Sequence, residues 1–493
     1  MKPRIAASLF SLVVPLGIAD SAIAQVGPDI IVGNLYQVAS YGSSNEISAF
    51  AVGNISCNSG DDWVKYFSFT NQHPVFGQNM YRLKDGRFEQ IGQSWLNHSF
   101  FALSENYCFS DCQPTNGQHL GVHCSDPYSA SVNGIQSNMG PRYQVNAHTG
   151  AFPFPPANPP YSGTIDRRLQ VKNDDLDPSL NVGALYFVEG QFVTPDDADA
   201  GNQNNNASYR RVTISLGTGG LSCPAGRYCL ALGGTTQRGQ PAIRAWKNHD
   251  PFVTETDVQI PDEGLFIVGA RVNNLGDGYW HYEYAVQNLN SDRSGQSFSV
   301  PLPDGVIIPL ESIGFHDVDY HSGEPYDGTV WTATVESGAI RWSTTPFDVD
   351  PNANALRWGT LYNFRFDANI GPDTTMVTLG LFKPGSPTDV AVSTVGPALE
   401  AIDCDGNAVA DWCDMSCNAL GCSPSCGGGF DCNDNAYSDD CDKVRLAECI
   451  TGPSLVKEPA PDCSRFNFNR DNAVDLADVA VFQRSFSRTI CPR

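Results

Sequence analysis

The feature that most constrains this chain is a spacing near its C-terminus. Asn467, Asn469, Asp471, Asp475 and Asp478 place side-chain oxygens at positions 1, 3, 5, 9 and 12 of a twelve-residue stretch, with Val474 at position 8. The same spacing occurs twice upstream, as Asp403, Asp405, Asn407, Asp411 and Asp414, and as Asp431, Asn433, Asn435, Asp439 and Asp442. These two copies also share Cys at positions 2 and 11 (Cys404 and Cys413, Cys432 and Cys441), so they form an internal repeat. Oxygens at such intervals suit Ca²⁺, a hard cation that takes six to eight oxygen ligands at flexible distances. The alternative is an acidic, disulfide-stapled linker with no ion. Beyond the last copy, Leu476, Val479, Phe482 and Phe486 recur at helical spacing.

The final loop and helix resemble a dockerin-type, EF-hand-like calcium unit, including Asp478 where many calcium loops carry Glu. The two Cys-bearing copies are similar to the acidic repeats of secreted multidomain proteins and to thrombospondin type 3 repeats. The resemblance implies bound Ca²⁺ and, for a dockerin, attachment of an exported protein to a partner, often in polysaccharide-degrading assemblies. A full dockerin has two loop-helix units in tandem, and only the last unit here matches. Position 6, usually Gly for a sharp turn, is Ala408, Ala436 and Asn472. Asn tolerates the left-handed conformation and Ala does so poorly. Affinity is therefore expected toward the ~0.1–1 mM of extracellular modules.

The opening residues point to export. Met1-Lys2-Pro3-Arg4 is basic, Ile5 to Ala19 is mostly apolar, and Ala22-Ile23-Ala24 precedes Gln25 as a small-residue cleavage site. Residues 1–24 read as a secretory signal peptide. No later apolar run reaches the ~18 residues of a membrane span. The sixteen Cys all follow residue 24, an even number that fits disulfides in an oxidising, extracellular or cell-surface location. The formal net charge of -24 argues against nucleic acid, whose binding rests on Lys and Arg neutralising phosphates.

Between signal and tail the chain reads as mainly β, with antiparallel sandwich character. Residues 25–250 form a loop-rich β domain, 251–397 a β-sandwich module, and 398–493 the Cys-rich calcium-binding region with its short helix. Met80 to Ile91 is a hairpin with Asp85-Gly86 in the turn. Strands are expected near 184–189, 209–214, 265–272, 280–286, 298–300, 361–366 and 376–382, the last closing the run before a Pro/Ser/Gly exit. Trp280 to Asn288 and Asn354 to Phe366 resemble the β-sandwich half of exported bacterial proteins with sorting or dockerin-like tails. Cys108 to Gly163 has little periodicity, and Cys108, Cys112 and Cys124 are available to order it. Cys223 and Cys229 are placed to close a small loop.

No H-E-x-x-H, G-x-S-x-G or phosphate-binding Gly loop occurs. Alternation would set Asp317, Asp319 and His321 on one strand face, a set that could hold Zn²⁺ or Mn²⁺; a solvated acidic strand end is the plainer account. Trp95, His98, His123, Asp126, Tyr128, Arg142 and His148 cluster in or beside the irregular stretch. His123 with Asp126 could serve as base and orienter, and Trp95, Tyr128 and Tyr143 as a platform for a sugar ring; surface and core placements are the plainer accounts. Two functions fit: a secreted, calcium-binding attachment protein whose partner is a polysaccharide or a surface protein, or a secreted glycan hydrolase. The absence of a nameable catalytic motif favours attachment, and the catalytic residues of the second reading are not legible.

Overall fold

The computed structural model describes residues 25–219, 223–276, 278–303, 305–321, 323–336 and 338–399. The expected signal peptide and the three expected calcium loops lie outside the described residues. What is described is mainly β, and its sheets are antiparallel.

Turn chemistry sets the first sheet. Ile30–Ser44 pairs with Ile47–Asn58 across Asn45 and Glu46, both at positive φ. Val75–Lys84 pairs with Arg87–Gln93 across Asp85 and Gly86, at φ 51° and 79°. Two positive φ values match the right-handed strand twist, which is why Asp-Gly signals a hairpin. The sheet runs Ile30–Ser44, Ile47–Asn58, Leu169–Lys172, Arg87–Gln93, Val75–Lys84, Leu185–Val193, Ala207–Leu216, Tyr228–Gln237. Alternation then sorts its side chains. Met80 and Val188 join Val32, Phe50, Val52 and Phe192 in a core on one face. Their neighbours Tyr81 and Phe187 join Phe88 and Tyr209 on the other.

Two five-stranded sheets follow. One contains Thr254–Gln259, Leu265–Asn274, Trp280–Asn288, Thr360–Ala368 and Gly314–His316, and the other Thr332–Glu336, Ala339–Ser343, Gly295–Pro301, Pro372–Leu381 and Asp389–Pro397. Trp280, Tyr282, Tyr284, Val286, Phe364 and Phe366 from the first meet Phe298, Val300, Trp342, Val377 and Leu379 from the second in one core. The back of the first sheet is covered as well. Ile267, Ala285 and Leu361 pack with Tyr81, Phe88, Phe187 and Trp246. Trp246, on the helix Arg244–His249, donates its indole N–H to the Gly86 carbonyl at 3.1 Å. A Cβ at Gly269 would sit 3.0 Å from that indole, so the strand reaches the ring only without one.

Because this sheet is buried on both faces, its polar residues need partners. Glu283 accepts from Arg87 Nε at 2.9 Å, Asn363 donates to the Phe88 carbonyl at 2.9 Å, and Gln90 accepts from the Leu361 amide at 2.7 Å.

One expectation changes. The exit after Phe382 is a strand, Asp389–Pro397, paired with Pro372–Leu381. Val390, Val392 and Val395 pack onto the sandwich core, so the alternation outweighs the surrounding turn-forming residues. The Cys108 to Gly163 stretch is ordered, with Cys57–Cys108 and Cys112–Cys124 disulfides and short pairings such as Ser125–Tyr128 against Ile47–Asn58. Cys223–Cys229 closes the small loop as expected.

Candidate functional site

The residues singled out as chemistry do not converge. The strand at Gly314 ends at His316, so the alternation argued for Asp317, Asp319 and His321 has no strand to act on. Asp317 accepts from Asn354 Nδ2, Asp319 pairs with Lys172 at 2.6 Å, and His321 Nε2 meets the Arg168 carbonyl at 2.9 Å. Among the described residues, no group of three or more His, Cys, Asp or Glu side chains is placed to hold a metal.

His123 and Asp126 separate too. His123 Nδ1 lies 2.7 Å from Asp111 Oδ2, beside the Cys112–Cys124 bridge. Asp126 is buried and accepts the Leu103 amide at 3.1 Å, and burial pushes its carboxyl up to about 7. Trp95 is in the core with the Arg167 guanidinium 4.9 Å from its ring centre, so it offers no face to a ligand. Tyr128 donates to the Phe101 carbonyl at 3.3 Å. Arg142 is buried against the Ser94 and Gln78 carbonyls and Asn79 Oδ1, and burial holds its guanidinium down at about 10. Tyr143 is exposed, and its amide reaches Glu324 Oε2 at 3.1 Å. His148 is half-buried.

The disulfide-tied loops instead build a surface the sequence reading missed. A two-residue ladder, Val64–Lys65 against His119–Leu120, joins segments over fifty positions apart, and Tyr66 N–H to Gln118 O and Ala102 N–H to Gly117 O extend it. Val64, Tyr66 and Leu120 turn into the core. Trp63 stays 50% exposed, Phe69 82% and Phe101 56%. The segments that carry them are joined: Phe69 stacks on Phe100 at 6.0 Å between ring centres, and Phe101 lies against Gly117, where a Cβ would fall 2.2 Å from the ring. His119, two residues on, has its ring 5.2 Å from Trp63 and 5.0 Å from Phe67.

Below this surface the stack continues inward. Phe100 lies 5.0 Å from His73, and Phe152 and Phe154 complete an aromatic box around His73 and His98. The two imidazoles share a hydrogen bond, His73 Nε2 to His98 Nδ1 at 2.8 Å. Burial lowers His73 to about 4 and His98 to about 3, the latter also through repulsion from His73. Both rings are neutral near pH 7 and serve as floor.

Phe69 is the unusual member. Its φ is 59°, a left-handed conformation that a Cβ disfavours and that Gly or Asn adopts at less cost. Its ring stacks on Phe100 yet stays in solvent, and the core does not receive it. Further along the tied segment, Asn106 to Asp111 line a shallow open groove that includes exposed Tyr107. A signal for the patch does exist in the sequence: in Trp63 to Phe69 the rings of Trp63, Phe67 and Phe69 share the parity of Lys65, opposite to Val64 and Tyr66, which enter the core.

No protein-family model matches this chain, and no curated protein is significantly similar to it. The functional reading therefore rests on the residues. Among the described residues, no helix is long and apolar enough to cross a membrane.

Proposed function

We propose that this is a secreted, calcium-binding attachment protein that holds an extracellular polysaccharide through the Trp63–Phe69–Phe101 surface. A dockerin-like tail would bind Ca²⁺ through Asp403 to Asp414, Asp431 to Asp442 and Asn467 to Asp478, and join the β region to its surroundings. The observation that carries the reading is Phe69: a strained, solvent-facing aromatic stacked on Phe100, with Trp63 and Phe101 also exposed on the segments joined to it. Backbone strain of this kind costs about 1–3 kcal/mol and points to a role outside folding. Contiguous exposed rings mark binding surfaces, and flat rings fixed in place suit the apolar faces of sugar rings.

The test replaces Phe69→Asn and Trp63→Ala in the full chain and measures retention on a panel of insoluble polysaccharides together with reducing-sugar release. Loss of an anchoring aromatic of about 2 kcal/mol weakens retention roughly thirtyfold. Phe69→Asn, which relieves the left-handed strain, leaves the unfolding midpoint unchanged or raised. Retention unaffected by both variants would refute the polysaccharide surface. Release above a heat-inactivated control would replace attachment with glycan hydrolysis, and binding confined to surface proteins would reassign the partner.

A further inference from the structure

We infer that the described β region has its own divalent-cation site, of Ca²⁺ type, where Asp29 meets the segment from Asp197 to Asn206. This site is separate from the C-terminal loops and does not depend on them.

The segment Pro195–Ala200 is a short helix that ends on Gly201 at φ 79° and passes through the 3-10 turn Gln203–Asn205. That path folds Asp197 back onto Asn206, whose Nδ2 donates to Asp197 Oδ2 at 2.7 Å. Asp197 Oδ1 accepts the Ile30 amide at 2.9 Å, which sets it beside Asp29. Asp29 Oδ2 accepts from Ser59 Oγ at 2.6 Å and from Asn205 Nδ2 at 3.3 Å. Two carboxylates 168 positions apart thus share one small volume, and both side chains are fully buried.

On the two acids and the amides bonded to them, the unpartnered atoms are oxygens: Asp29 Oδ1, Asn205 Oδ1 and Asn206 Oδ1 are buried acceptors with no donor. The Asn205 and Asn206 amides are oriented by their own NH₂ groups on Asp29 and Asp197, so neither oxygen is an arbitrary choice of flip. None of the ion pairs among the described residues involves Asp29, Asp196 or Asp197. Buried carboxylates without a compensating charge are costly. A water molecule would bring two donors and no charge, too little for three acceptors and two acids. A hard cation answers both needs, since carboxylate and amide oxygens are its ligands, and the lack of imidazole or thiolate disfavours Zn²⁺.

The test is hydrogen–deuterium exchange on the full chain, with chelator and with roughly 5 mM Ca²⁺, above the range of weak extracellular sites. Ca²⁺ is expected to slow exchange in peptides covering 26–36 and 194–208. A tail variant, Asp403→Ala with Asp431→Ala and Asn467→Ala, should keep that protection, and Asp29→Asn with Asp197→Asn should lose it. Should the double variant not fold, Asn205→Ala leaves both carboxylates and raises the half-protecting Ca²⁺ concentration at least tenfold. Identical exchange with and without Ca²⁺ in the parent chain overturns the inference. So does protection that vanishes with the tail variant, or that survives loss of both acids.

Discussion

Replacing Glu189 with Gln should loosen the joint between the first sheet and the sandwich by about 2–4 kcal/mol. Glu189 is fully buried on Leu185–Val193. Four donors converge on it: Asn79 Nδ2 at 2.8 Å and Tyr81 O–H at 3.0 Å on Oε1, then Ala242 N–H at 2.6 Å and Gln287 Nε2 at 3.3 Å on Oε2. A carboxylate can accept all of them, whereas an amide keeps one acceptor oxygen and brings two N–H donors. Turned one way, the new NH₂ faces Asn79 Nδ2, which cannot flip because Asn79 Oδ1 already accepts from Arg142 Nη2 at 2.8 Å. Turned the other way, it faces the Ala242 amide, which has no second role to adopt. Either orientation strands a buried donor, at about 1–3 kcal/mol, and also replaces charge-assisted bonds by weaker neutral ones. Denaturant unfolding of the full chain, followed by tryptophan fluorescence, should show the loss as an earlier midpoint. The pair Glu189→Gln with Asn79→Asp offers the amide an acceptor and should recover part of the stability. A loss under about 0.5 kcal/mol, or a pair no better than the single variant, would refute this account.

Acid should separate the parent chain from a His73→Phe, His98→Leu variant. Both imidazoles are held below their ordinary value, so on acidification the unfolded chain takes up protons that the folded chain refuses. Stability from this source is intact above pH ~6.5 and falls as pH drops toward the folded values, by about 2 kcal/mol per imidazole at pH 5. Parallel stability profiles for the two proteins between pH 7 and 5 would sink that reading. In the tail, the Asp403→Ala, Asp431→Ala and Asn467→Ala variant should bind fewer Ca²⁺ ions than the parent chain by native mass spectrometry; an unchanged count would remove the calcium loops.

The sequence was a sound guide where physics is local. Asp85-Gly86 announces its hairpin because only positive φ at both turn positions matches strand twist, and the turn forms as read. The alternation of Trp280, Tyr282, Tyr284 and Val286 likewise appears as one buried face. Asp389–Pro397 was missed because nearby turn-forming residues masked its valines. Asp317, Asp319 and His321 misled because face-sharing holds only on a strand, and theirs stops at His316.

Which groups meet was beyond any local rule. Chain order does not bring Asp29 to Asp197, Glu189 to Gln287, or His73 to His98; the packing of separate strands and loops does. Nor does a hydrophobic pattern tell an exposed Phe69 from a core Phe, since both are apolar and only the path of the disulfide-tied loops puts one in water. Local periodicity and turn preference act over a few residues and fixed the strands. Burial depends on the whole surrounding structure, so the tertiary fold alone decided which polar atoms lost water and which rings kept it.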